Sequence, residues 1–182
     1  MVTDNLVNRC EDKIWEKIET LKQIDPKNAK ELISNRKRGI YFWFDKKTDE
    51  LVYIGRALGV RGLRGRIVSQ HLRETYIEYR AKKQSKTRDA YQLAHPYING
   101  EKRGIDKSAF RKSIGRMKCL KPGKETLNYI LDNLYLRIWE EESKEKGKKL
   151  EKYLIKKCSP KFNTQFKALK TKQYSCRHKG IS

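Results

Sequence analysis

Residues 38–57 read RGIYFWFDKKTDELVYIGRA: two apolar, aromatic-rich runs on either side of a charged loop, the pattern of a β-hairpin. Ahead of it, Leu6, Ile14, Ile18 and Leu21 recur at helical spacing, Asp25-Pro26 breaks the run, and residues 29–33 resume it. Residues 4–34 therefore predict one or two packing helices. Behind the hairpin, GLRGRIVSQHLRETYIEYR puts Ile67, Val68, Leu72, Tyr76 and Tyr79 on one broad helical face, with arginines and His71 at its margins, which predicts a basic amphipathic helix. Residues 80–106 are polar and carry Pro96 and Gly100, the composition of a long connection or insertion. DKSAFRKSIGRMK then predicts a short helix capped at Asp106 or Ser108, and CLKPGKETLNYILDN a turn followed by another helix. NLYLRIWE reads as a strand with Leu134, Leu136 and Ile138 on one face. In SKEKGKKLEKYLIKKCSPKFNTQ, Leu150, Tyr153, Leu154 and Lys157 keep helical spacing until Pro160 stops the helix, and the tail from Lys167 is basic and loose. No internal repeat interrupts this order.

A chain of 182 residues fits one domain, residues 1–182, with room for a real core. Charge changes the picture more than size does. The chain holds 44 Lys and Arg against 22 Asp and Glu, a formal net charge of +22, so self-repulsion opposes compaction unless a polyanion is the intended neighbour. Basic residues fall in every segment and alternate with ten tyrosines, which points to nucleic acid. No apolar run approaches the roughly 20 residues a membrane span needs. Acidic residues interrupt the N-terminus, MVTDNLVNRCEDKIW, so it is not read as a signal peptide. A cytoplasmic or nucleoid-associated location follows. Cys10, Cys119, Cys158 and Cys176 are dispersed, without a CxxC pair, so no zinc site is read and reduced thiols are expected.

Cleaving a phosphodiester needs an activated water, a cation on the phosphate and, as a rule, a carboxylate-held divalent metal. The hairpin carries GIY at residues 39–41 and YIG at residues 53–55, separated by eleven residues. After these come arginines, a histidine, the glutamate of LEKYL and the asparagine of SPKFN. This order resembles the signature of the GIY-YIG nuclease superfamily. The resemblance places the two family tyrosines on Tyr41 and Tyr53, the glutamate on Glu151 and the terminal asparagine on Asn163. If LRGRI matches the usual L-basic-x-R-L, the catalytic arginine is Arg66, with Arg64 and Arg61 as the other candidates. Many relatives have the histidine four residues after that arginine, whereas His71 lies five after Arg66, a difference of about 100° on an α-helix. Either the helix begins irregularly or His71 sits beside the site.

The resemblance implies an α+β fold: a three-stranded antiparallel sheet packed with helices, here with an N-terminal helical extension (residues 1–35), the hairpin and basic helix (38–71), an insertion (72–112), the rest of the core (113–166) and a basic tail (167–182). It implies in-line hydrolysis of DNA at a single Mg²⁺ or Mn²⁺ held by Glu151, with Arg66 neutralising the phosphate. Tyr41, aided by His71, would take the proton from water while Tyr53 positions water or phosphate, although relatives differ over which tyrosine is the base. The products would be a 5′-phosphate and a 3′-hydroxyl. Arg56, Arg64, Arg73, Lys82, Lys83 and Arg88 are candidate contacts to double-stranded DNA. Arg111 and Lys112 join them because SAFRKSIGRMK resembles a segment of some standalone relatives. A compact, sequence-specific restriction-type endonuclease is the leading reading, a homodimer serving cleavage of both strands. Non-specific or structure-selective cleavage is the alternative within the class, and a non-catalytic binding module the alternative outside it. The ordinary readings also stand: strand tyrosines as core, Glu151 as a solvated partner of Lys148, Lys149 or Lys152, Asn163 as a turn residue, and His95 and His178 as incidental.

Overall fold

The computed structural model describes residues 13–79 and 89–164. Within them the chain is α+β, with two three-stranded antiparallel sheets. The first pairs the hairpin strands β1 (Gly39–Asp45) and β2 (Leu51–Ala57) with a late strand, β6 (Leu134–Glu140), in the order β2-β1-β6. Alternation along the central strand divides the core into two layers. Ile40, Phe42 and Phe44 face the helix over residues 13–20 (α1) and α7 (Lys144–Cys158), packing with Ile18, Leu154 and Ile155. Tyr41 and Trp43 face the other way, among Leu63, Ile67, Phe110, Ile114, Ile130 and Phe162. Covering both faces explains why six of the seven β1 residues are buried.

Both edges of this sheet are paired in part, which shortens the open ladders that invite aggregation. Ile24 exchanges two backbone hydrogen bonds with Leu136 on β6, at 2.8 and 3.0 Å. The 3₁₀ turn Pro26–Asn28 and the short α2 (Ala29–Leu32) follow that bridge. At the opposite edge, Phe162 N donates to Val52 O at 2.9 Å, and the Asn163 side chain continues the pairing beside it.

Three expectations are corrected here. The basic helix does not run to Tyr79: α3 covers only Gly62–Arg66, a π-helical turn takes Ile67–His71, and Ile77–Tyr79 is a strand, β3. Two glycines weaken α3, while the aromatic and β-branched residues from Thr75 to Tyr79 suit a pleated surface better than a helix. The stretch read as a long connection instead holds α4 (Ala90–Ala94) and a hairpin, β4 (Tyr97–Asn99) and β5 (Lys102–Asp106), which joins β3 in the order β3-β5-β4. Gly100, at φ 59°, makes the turn, and Gly104 lets β3 close in, because a Cβ there would meet Ile77 Cγ2 at 2.2 Å. Finally, Cys119 is disulfide-bonded, against the expectation of reduced thiols.

The second sheet is fastened to the first by α5 (Ala109–Lys118) and α6 (Lys124–Asn133). Arg111 on α5 forms a 2.6 Å ion pair with Asp106 at the end of β5, both side chains being fully buried. Among the described residues, no helix is long and apolar enough to cross a membrane.

Candidate active site

Tyr41 stands opposite Gly55 on β2, and its ring lies over that glycine. A Cβ at Gly55 would fall 2.3 Å from the Tyr41 hydroxyl, so any larger residue would displace it. Gly39 answers to another constraint: a Cβ there would meet Trp139 O of β6 at 2.1 Å. The glycines beside the two tyrosines thus serve close approach, one to a side chain and one to a neighbouring strand.

The π turn decides the position of the histidine. Leu72 N donates to Ile67 O at 2.9 Å, a bond to the fifth residue back, and the extra residue in the turn swings His71 onto the tyrosine side of the helix. His71 Nε2 is hydrogen-bonded to Tyr41 Oη at 2.7 Å, and its Nδ1 to Ser108 Oγ at 2.8 Å. Burial, helped by the charges of Arg66 and Arg111, drives the imidazole well below its ordinary pKa and keeps it neutral.

Of the three candidate arginines, Arg66 is the one whose charge acts on Tyr41, Tyr53 and Glu151 together. Its Nη1 donates to Gln70 Oε1 at 2.5 Å, and its buried Nε has no partner. Arg64 is half-buried on α3 and Arg61 exposed beside it. Burial pushes Tyr41 up to about 12, against the pull of Arg66 and of the Tyr53 hydroxyl. Tyr53 is raised further, first by burial and then by Tyr41. The two rings lie 6.3 Å apart, and Phe110 packs on Tyr53 with ring centres 4.4 Å apart.

Glu151 is not the solvated helix residue that its lysine-rich surroundings suggest. It is 6 % exposed, while the nearby Lys148 pairs with Glu145 instead. Burial raises its pKa despite Arg56 and Arg66, and Arg56 Nη1 donates to its Oε2 at 2.5 Å. Among the described residues no three His, Cys, Asp or Glu side chains cluster as a metal cage. One buried carboxylate nevertheless suits Mg²⁺, which is commonly held by one or two carboxylates and keeps several waters. This single carboxylate fits the ion on that basis, and its Oε2 here accepts from Arg56.

The other sequence candidates separate clearly. Asn163 does not face the tyrosines' hydroxyls: it accepts from Ile54 N and donates to Ile54 O, both at 2.8 Å, and so holds β2 between Tyr53 and Gly55. Arg111, expected on phosphate, is 0 % exposed, with all three guanidinium nitrogens engaged by Asp106, Thr126 and the carbonyls of Arg73, Glu74 and Gly123. It is a structural residue. Lys112 is tied to Glu78 at 2.9 Å. Arg73 is exposed and Arg56 partly so, the latter on Glu151. Lys82, Lys83 and Arg88 lie outside the described residues, as does the tail from Lys167. Sequence reading missed Ser108 and Gln70 as partners of His71 and Arg66. Gln70 stands four residues after Arg66, a spacing that signals contact on a helix, whereas Ser108 is 37 residues from His71 and carried only the signal of a helix cap. Comparison with family models, curated proteins and solved structures finds no match to this chain.

Proposed function

We propose that the protein is a metal-dependent endonuclease of the GIY-YIG superfamily that hydrolyses DNA phosphodiesters, as a compact restriction-type enzyme. One observation carries the reading: a tyrosine hydrogen-bonded to a neutral histidine shares a buried site with an arginine carrying an unpaired donor and a buried carboxylate. Ordinary core packing does not account for the Arg66 Nε in that set, since a buried polar group costs free energy unless it is paired. The charge balance of +22 supplies the attraction to a polyanion.

In this reading the Arg66 guanidinium binds a non-bridging phosphate oxygen and stabilises the charge that grows there. The ionised fraction of Tyr41, a phenolate that has given its proton to solvent, takes a proton from the attacking water as the water oxygen forms its bond to phosphorus and the P–O3′ bond breaks in line. The strand ends are a 5′-phosphate and a 3′-hydroxyl, the latter protonated from solvent. Tyr53 orients water or phosphate beside Tyr41, and Glu151 would hold the metal. Magnesium, when bound, supplies positive charge to the scissile phosphate and acidifies its water. Asn163 and Gly55 keep β2 and the Tyr41 ring in register.

The Arg56–Glu151 pair favours a second reading, a basic nucleic-acid-binding module without turnover, because it satisfies the carboxylate with no metal. Incubating plasmid DNA with the protein and Mg²⁺, with and without EDTA, separates the two. The nuclease reading requires cleavage that EDTA stops, and a restriction-type enzyme gives discrete fragments where a non-specific one gives a smear. Retarded but uncut plasmid at every metal concentration supports the binding module instead.

A further inference from the structure

Ser108 is the N-cap of α5, and its Oγ accepts the Arg111 backbone N–H at 3.3 Å. The same oxygen lies 2.8 Å from His71 Nδ1. A serine hydroxyl has one proton to give as well as lone pairs to receive. At 4 % exposure that proton needs a protein acceptor. The Arg111 N–H is a donor, so of the two groups on Oγ only His71 Nδ1 can accept it. An Nδ1 that accepts carries no proton of its own, and the single proton of a neutral imidazole then sits on Nε2, the nitrogen 2.7 Å from Tyr41 Oη, while the equally buried Tyr41 hydroxyl turns its own proton to Tyr53, with which it is also hydrogen-bonded.

We propose that Ser108 is a positioning residue that fixes His71 in the Nε2–H tautomer, so that His71 donates a hydrogen bond to Tyr41 Oη and stabilises its phenolate. The proposal rests on the reading of Tyr41 as the base, and it assigns His71 the part of a hydrogen-bond donor. It also gives the second sheet a part in the site. Ser108 lies two residues after the end of β5 and is held there by α5 and by the Asp106–Arg111 pair, so the placement of β5 sets the angle of the imidazole over Tyr41. Around metal-ligating histidines, partners of this kind orient the ring and fix its tautomer, and removing one typically costs 10- to 100-fold, the scale taken here for His71.

The test reads the tautomer directly, by two-bond ¹H–¹⁵N correlation spectra of the full chain with ¹⁵N-labelled histidine and no nucleic acid, the His71 signals being assigned by their loss in His71→Gln. The expected result is a protonated Nε2 and an unprotonated Nδ1 in the unsubstituted protein, unchanged in Ser108→Thr. Ser108→Asp keeps a capping oxygen but only accepts, so it should place a proton on Nδ1. In turnover assays Ser108→Ala should lower kcat about tenfold or more with KM within about twofold, and Ser108→Thr should restore it. A proton on Nδ1 of the unsubstituted protein overturns the proposal, as does a tautomer that Ser108→Asp leaves unmoved. The spectra need no turnover: inactive protein with the Nε2–H tautomer would sink the nuclease reading and spare the assignment of Ser108, whereas active protein with Nδ1–H would do the reverse.

Discussion

Replacing Arg111 with methionine separates a structural cation from a DNA contact. The substitution keeps a long apolar stem in the space of the arginine but strips Asp106 of its buried counter-ion. Asp106 retains Gln92 Nε2 at 2.8 Å, Gly123 N at 3.1 Å and Thr126 Oγ1 at 2.9 Å, but these neutral donors do not cancel its charge. The carbonyls of Arg73, Glu74 and Gly123 also lose their shared donor. Breaking a buried pair by removing one partner costs about 3–5 kcal/mol. For a chain of this size that corresponds to a Tm lower by roughly 6–20 °C, measured by calorimetry or circular dichroism at constant salt. The second sheet hangs on this junction, so hydrogen exchange in β3–β5 should quicken more than in β1. DNA affinity, measured below the transition, should keep its salt slope. A Tm within about 2 °C of the parent, together with a slope shallower by about one, would refute the argument and return Arg111 to the phosphate-binding surface.

Arg66→Ala should lower kcat at least about 100-fold, the scale of a lost transition-state charge, with Arg64→Ala within several-fold; the reverse order in steady-state assays would mean the wrong arginine has been assigned. Because burial holds Tyr41 at about 12, its hydroxyl is protonated at neutral pH and the fraction acting as base rises tenfold per pH unit. A profile of log kcat from pH 6 to 9 should therefore climb with positive slope, and Tyr41→Phe should flatten it while costing at least about 100-fold; a slope surviving in Tyr41→Phe would move the base elsewhere. Asn163→Ala leaves Ile54 N and O without partners and should destabilise by about 2–6 kcal/mol at roughly 1–3 per orphaned group, read as a shift in urea midpoint; unchanged stability with lost turnover would make Asn163 a substrate contact.

The main sheet was legible because β1 is apolar over its first six residues and β2 and β6 carry apolar or aromatic residues along most of their seven, and because α7 repeats its apolar positions between a serine cap and a proline. The second sheet was not, since β3 and β4 are three residues long and the β4–β5 hairpin is mostly exposed, so neither period nor hydrophobicity marks it. The π turn was equally hidden: hydrogen bonds to the fifth residue leave no mark in side-chain type, and only the displaced spacing of Arg66 and His71 hinted at it. Arg111 misled because the resemblance of SAFRKSIGRMK to a segment of standalone relatives set it among the DNA contacts, and nothing in residue type marks a buried cation. Its partner, Asp106, competed in sequence for a capping role that Ser108 fills. Glu151 shows the opposite failure, a buried carboxylate disguised by neighbouring lysines, which the resemblance singled out and periodicity alone would not have.

Glu151→Gln tests the central claim most directly. It is nearly isosteric and keeps an oxygen for Arg56, but it removes the anionic charge that a divalent cation requires. Plasmid cleavage should be followed across an Mg²⁺ titration alongside DNA binding by anisotropy, for the parent and the variant under the same conditions. The account predicts Mg²⁺-dependent cleavage by the parent, its loss in Glu151→Gln at every metal concentration, and binding within about twofold. Cleavage by Glu151→Gln at the parental rate, or cleavage by the parent in EDTA, would contradict it.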